Sequence, residues 1–268
     1  MKPKMVSPLC GMLLLVLATC GCNKLRARDQ LNKGVAAYRQ AQFQGAIEHF
    51  REAVKYDPEL INARLYLATA MRQLYVPGGD SPDNIKAGKE AINAFEDVLK
   101  VDSSNSTALA TIAETYYNMH QFDKAKEYQK RLQQIDPNDP TSYYWIGVID
   151  WAVCYPRRMS LRNQLKLATP KNPAKPDELP PLPAKAREGL ATKNGPLVDE
   201  GIQALNKEVE LKPNDADAYA YLNLMYREKA DLESDSDARE ADRKKAEDYV
   251  QKQLQLRKQQ TAKATAGS

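Results

Sequence analysis

The stretch from Ser106 to Asp139, STALATIAETYYNMHQFDKAKEYQKRLQQIDPND, reads as two helices and a stop. Ile112, Ala113 and Tyr116 recur at helical spacing in its first half, and Phe122, Ala125 and Leu132 do so in its second. Pro137 closes it, because proline has no N–H and disfavours helix in the residue before it. Polar Gln129 departs from the pattern. Ala27 to Leu60, of the same length, repeats the layout with Gly34, Ala37, Phe43, Ala46, Phe50, Ala53 and Pro58. Small residues at matching places, Gly34, Ala46, Ala113 and Ala125, mark a close crossing of two helices, where a larger side chain would overpack the contact.

Further out, the period of 34 survives with interruptions. Residues 61–105 carry Leu67, Ala68 and Met71, then Ala91, Phe95 and Val98, with Ser103 where proline stands elsewhere. Their excess falls around Val76-Pro77-Gly78-Gly79-Asp80-Ser81-Pro82, a turn-rich string expected to form a surface loop ahead of a lengthened second helix. Residues 140–215 begin with Ile146, Gly147 and Asp150 and resume at Gly201, Ile202, Leu205, Val209 and Pro213. Residues 216–257 carry Leu222, Tyr226, Ala246, Val250 and Leu254, and the polar tail 258–268 is expected to fray.

The recurring pattern resembles the tetratricopeptide repeat. That resemblance implies an all-α fold, a helical-hairpin solenoid coiled as a right-handed superhelix, with units at 27–60, 61–105, 106–139, 140–215 and 216–257. Such hairpins cannot bury their apolar stripes alone and must stack. A Pro/Lys-rich insertion, residues 155–195, interrupts the fourth unit. It holds nine basic residues against three acidic ones and seven of the sixteen prolines. The whole chain carries only +4, so the basic character is local. Pro170 to Pro176 and Pro180 to Pro183 should be extended or polyproline-like, and the insertion should lie as a solvated loop.

The amino terminus reads as an address. Lys2 and Lys4 precede an apolar run from Leu9 to Thr19, the layout of a secretory signal. At about 1.5 Å per residue the run reaches about 16 Å, too short for a hydrocarbon core of about 30 Å. Leu17-Ala18-Thr19-Cys20-Gly21-Cys22 resembles the lipobox of bacterial lipoproteins, which implies cleavage before an acylated cysteine, a signal peptide over 1–21 and a short linker over 22–26. Cys22 has Gly21 before it but Thr19 three positions back; Cys20 has Leu17 and Ala18 well placed but Thr19 immediately before it. Cys22 is the preferred anchor and Cys20 the alternative. Two or more acyl chains hold a protein on a membrane where one does not. Cys154 is expected to be a buried structural thiol rather than a nucleophile.

At 43% hydrophobic and a mean hydropathy of -0.62 the chain is no polytopic membrane protein. It has no GxxxxGK[ST], HExxH, GxSxG or CxxC motif, and His49 and His120 fall at places where a satisfied or solvated imidazole is expected. No cofactor and no metal are implied, and a binding surface is the better candidate than a catalytic one. In the family the concave side is lined by the first helix of each unit, and the matching positions include Tyr38, Arg39, Arg72, Tyr117, Asn118, Tyr144 and Trp151. Together these imply an amphipathic groove for an extended or helical peptide. The family's two-carboxylate clamp is not matched, since Leu31 pairs with Val35, Leu65 with Thr69 and Tyr144 with Val148.

The expected plan is therefore a noncatalytic membrane-anchored scaffold for an unidentified envelope protein or peptide, acting in cell-envelope assembly or secretion. Asn23 after the anchor, in place of aspartate, hints at the periplasmic face of the outer membrane of a Gram-negative bacterium. A second reading is an envelope glycan- or anionic-polymer-binding lipoprotein, gripping its ligand through Tyr144, Trp151 and the basic insertion. Anionic lipid is a third surface that the insertion could touch, and an extracytoplasmic address weighs against nucleic acid.

Overall fold

The computed structural model describes residues 8–170 and 179–266, and among these there are ten α-helices and no strand. The helices are α1 (Pro8–Arg39), α2 (Phe43–Tyr56), α3 (Ile61–Arg72), α4 (Pro82–Leu99), α5 (Ser106–Asn118), α6 (Phe122–Ile135), α7 (Pro140–Gln164), α8 (Ala184–Leu211), α9 (Ala216–Leu232) and α10 (Ser236–Ala266). They fall where five helix pairs place them. The chain divides into two compact units, Met1–Gln121 and Phe122–Ser268, so the third repeat gives its first helix to one unit and its second to the other.

Short polar signals set the links. Asp57, Asp102, Asp136 and Lys212 each accept, through the carbonyl, the N–H three residues on, at 3.1, 3.2, 3.2 and 3.2 Å. Proline at the second place of such a turn already has the required φ, which explains Pro58, Pro137 and Pro213. Ser103 breaks that series, and the Asp102 carboxylate compensates by accepting from the Ser104 N–H at 3.2 Å and the Ser104 hydroxyl at 3.0 Å. Asn105, Asp139 and Asp215 then cap the following helices, accepting from Ala108, Thr141 and Asp217 N–H groups at 3.0 Å each. Within a pair, Ala41 and His120 take left-handed backbone at φ 58 and 57, closing α1 and α5 with Schellman-type bonds such as Gln42 N–H to Ala37 C=O at 3.0 Å.

In the first unit α1 and α2 cross where a Cβ on Gly34 would collide with the Phe50 ring, and Ala46, Ile47, Phe50 and Ala70 form the core there with Leu31, Val35 and Leu67 against it. Ala91, Phe95 and Val98 continue the core on α4. The turn-rich string is a loop, as its composition predicts, and α4 is lengthened behind it. The Asn84 side chain holds the loop, accepting from Val76 N–H at 2.7 Å and donating to Val76 and Gly79 carbonyls at 2.8 Å each. The expected linker over 22–26 is instead part of α1. Lys24, Leu25 and Arg26 are good helix formers, and the Arg26 guanidinium lies 5.9 Å from the centre of the Tyr56 ring on α2. The side chains of residues 1–21, which include Cys20, lie outside the described residues.

In the second unit Gly147 admits Leu205 and Gly201 admits Met225, so α7, α8 and α9 approach closely around Val198, Leu205, Leu222, Met225 and the buried thiol of Cys154. The insertion departs from expectation. Residues 155–164 prolong α7 and residues 184–195 open α8, so its two flanks are helical arms, with Pro156 inside the first and Pro196 just past the second. Pro180 to Pro183 is non-helical, as predicted, and Leu179 leads into it as one extended strap; residues 171–178, which hold most of the other predicted stretch, Pro170 to Pro176, lie outside the described residues. On the α7 arm the physical reason is charge pairing. Arg158 Nε donates to Glu228 at 2.9 Å, while Arg162 Nε and Nη2 grip both oxygens of Asp231 at 2.8 and 2.5 Å. Arg162 is fully buried and also donates to the carbonyls of Leu167 and Pro180 at 3.0 and 2.9 Å. Two of the nine basic residues are thus neutralised inside the fold. The tail is helical as far as it is described. α10 continues to Ala266 with exposed flanks, and Leu256 rather than Leu254 is the residue that turns inward, at 4% against 47% exposure.

A candidate peptide-binding face

On α7 the residues Tyr144, Val148, Trp151 and Tyr155 follow at intervals of four, three and four, which puts them on one helical stripe. Trp151 and Tyr155 stack with ring centres 5.0 Å apart. Tyr221 on α9 stands edge-on to both Tyr144 and Trp151, at 5.6 and 5.7 Å. The four rings form one aromatic track across neighbouring first helices, half-buried except for the exposed Tyr155. The track runs into a cavity of about 300 Å³ whose walls include Tyr155, Met159, Leu224, Arg227 and Arg243. Arg158 lies over the Tyr155 ring at 5.6 Å, but its charge is already spent on Glu228 and Asp231. Arg243 donates to the Leu179 carbonyl at 3.2 Å, closing the cavity with the extended strap.

The residues that the family pattern singles out are therefore not one set. Tyr144 and Trp151 are brought together, but partly as packing: both lean on the core of the second unit through Tyr221. The indole N–H of Trp151 is buried without a hydrogen-bond partner. Tyr38, Arg39, Arg72, Tyr117 and Asn118 belong to the first unit. There Tyr38 packs edge-on against Phe43 at 5.3 Å and accepts a bond from Gln73 at 2.8 Å, which joins α1 to α3. Arg72 is no free cation: it pairs with Glu114 on α5 at 3.1 Å and lies over Tyr75 at 5.2 Å. Arg39 is exposed, Tyr117 and Asn118 are half-buried, and burial pushes the Tyr117 phenol up. Tyr155, Tyr221 and Arg227 were not among the expected residues. The first could have been found by extending the stripe one turn past Trp151, and Arg227 by reading the fifth unit at the position that gives Tyr38 in the first.

The buried titratable groups outside this face serve packing. Burial pushes the Cys154 thiol up to about 12, far from a thiolate nucleophile at neutral pH. Asp150, wholly buried, is pushed up to about 7 by burial against the pull of Lys126, which bonds it and Glu200 together. His49 is satisfied by Gln30 at 2.8 Å. Among the described residues no group of three or more His, Cys, Asp or Glu could hold a metal ion. Cys22 is exposed, and no helix of the described residues is long and apolar enough to cross a membrane.

Two sequence profiles described as tetratricopeptide repeat match residues 27–60 and 86–145. A DnaJ homolog subfamily C member 3 homolog of Dictyostelium discoideum is 26% identical over 159 residues, which is 59% of this chain but 29% of that protein's length. Among solved structures, MamA superposes with a TM-score of 0.58 at 15% identity, over 88% of this chain and 94% of that one. YrrB, described as a TPR protein with an unusual peptide-binding site, superposes at 0.52 with 15% identity, over 85% and 84% of the two chains. At such identities the structural likeness concerns the fold.

Proposed function

We propose, from the tetratricopeptide-repeat profiles that match residues 27–60 and 86–145 and from the fold, that this chain is a noncatalytic scaffold that holds a peptide segment of an envelope protein on the first-helix face of its second unit. The observation that carries the reading is the aromatic track Tyr144–Tyr221–Trp151–Tyr155 ending at Arg227 and Arg243. Rigid rings supply contact area at small entropic cost, and Arg243 on the cavity wall offers a cation to an acidic group at one end of the peptide. The likeness of fold to YrrB, a peptide binder by its description, supports the same use here. The proposal includes the anchor: Cys22, or Cys20, acylated after removal of the leader, tethering the chain to the outer membrane on its periplasmic side.

Crosslinking and mass spectrometry on affinity-purified protein from its native envelope tests the partner. A peptide crosslinked to the track and lost in Trp151→Ala supports the proposal; a partner captured equally by Trp151→Ala overturns it. Radiolabelled palmitate tests the tether separately, with incorporation expected in the parent and absent in the double variant Cys20→Ala/Cys22→Ala. The stacked Trp151–Tyr155 pair also suits a sugar ring, so the glycan reading stays as the second one. Retention on immobilised glycan strands that disappears in Trp151→Ala would favour it.

A further inference from the structure

The two helical arms of the insertion form a surface separate from the aromatic track. α7 contributes Pro156, Arg157, Ser160, Leu161 and Gln164 to a groove of about 670 Å³, and α8 contributes Lys185, Ala186, Gly189, Leu190 and Lys193. The intervals are the same on both sides, one, three, one and three, so each arm presents a ridge of residues four apart. Leu161 and Leu190 make an apolar floor, while Ser160, Ala186 and Gly189 keep the walls low; a Cβ on Gly189 would meet nothing within 4 Å. Arg157, Lys185 and Lys193 rim the groove, are exposed and have no ion-pair partner among the described residues. Among the described residues no carboxylate lines it. The strap between the arms is held elsewhere, by Arg162 on Leu167 and Pro180 and by Arg243 on Leu179, and none of its described residues lines the groove.

We propose that this groove docks an acidic amphipathic α-helix of a partner protein, with about two turns of it in contact. Two antiparallel ridges with a trough between them are the receptor for the ridge of a third helix. From first to last lining residue each arm makes eight helical rises, about 12 Å, which sets the length of the occupant in contact. The rim selects its charge: three unpaired cations without a carboxylate favour glutamate and aspartate flanking an apolar stripe. The concave, apolar-floored form favours a helix over a flat bilayer, where the cations would spread over a surface instead of bordering a trough.

The test uses the full chain and a fluorescein-labelled 14-residue peptide with leucines at positions 3, 6, 7 and 10 and glutamates on the flanks, followed by anisotropy. The parent is expected to bind it and to lose at least tenfold in affinity at high salt. Two variants with unchanged circular dichroism are expected to lose tenfold or more: the charge reversal Arg157→Glu/Lys185→Glu/Lys193→Glu, and Gly189→Trp, which fills open space. Trp151→Ala, on the other face, should bind as the parent does, so failure here and failure of the peptide-face proposal are told apart. No binding by the parent, or equal binding by both groove variants, overturns the proposal. So does binding of the parent to phosphatidylglycerol vesicles that both variants lose while the peptide fails to bind, which assigns the groove to a membrane surface.

Discussion

The chain carries two interruptions of its repeat, and they take opposite forms. Around Val76 to Ser81 the extra residues include a loop, tied to the start of a lengthened α4 by one side chain, Asn84. From Tyr155 to Gly195 most of the extra residues extend α7 and α8, and their fully buried Arg162 reaches an acid on α9. Both segments are rich in turn formers. What separates them is whether their polar groups find partners on a distant element. Loop carbonyls near the surface are content with an amide or with water, whereas a buried guanidinium demands a carboxylate and, once it has one, holds its helix in place.

The largest expected effect tests that difference directly. Arg162→Ala leaves Asp231 buried without its main counter-charge and should lower the stability of the second unit by about 3–5 kcal/mol in denaturant melts. Asn84→Ala in the first unit exposes peptide groups that water can reach, and should cost about 1 kcal/mol. If both variants lose the same amount, the two interruptions are not energetically different and the comparison fails.

A pH series sharpens it further. Glu208, buried near the end of α8, is pushed up to about 8 by loss of water first and by Asp215 second. Its folded value lies above its unfolded one, so the folded state holds the proton through the interval between them and stability falls as pH rises. Glu208→Gln removes that slope. In thermal melts its advantage over the parent should grow from about pH 5 to about pH 8; a constant offset across that range would show that Glu208 does not titrate in the fold. The smallest effect is at Ser103, the turn position that lacks the usual proline. Ser103→Pro should add about 0.4–1 kcal/mol by restricting the unfolded chain. A loss instead would mean that the turn after α4 differs from those after α2, α6 and α8.

Much of this molecule was legible from residue order. The positions of all five helix pairs, the small residues at their crossings, the first-unit loop and the extended Leu179–Pro183 strap follow from periodicity, side-chain size and proline chemistry. Each of these acts over one or two helical turns, so a local reading captures it. The helical state of residues 22–26 and of the tail was a nearer miss, since both contain good helix formers whose pattern gives no apolar stripe.

The binding face and the basic insertion were decided at longer range. Tyr144 and Trp151 could be placed on one stripe from spacing, but that Tyr221 stands between them depends on how α9 packs against α7. Arg72 looked like a free cation until Glu114 on another helix paired with it. Arg158 and Arg162 read as part of a solvated positive segment, and only the fold brings Glu228 and Asp231 to them from some seventy residues away. Most helices are settled by neighbours along the chain, whereas the state of a charge, and with it the helical arm that carries Arg158 and Arg162, is settled by neighbours in space.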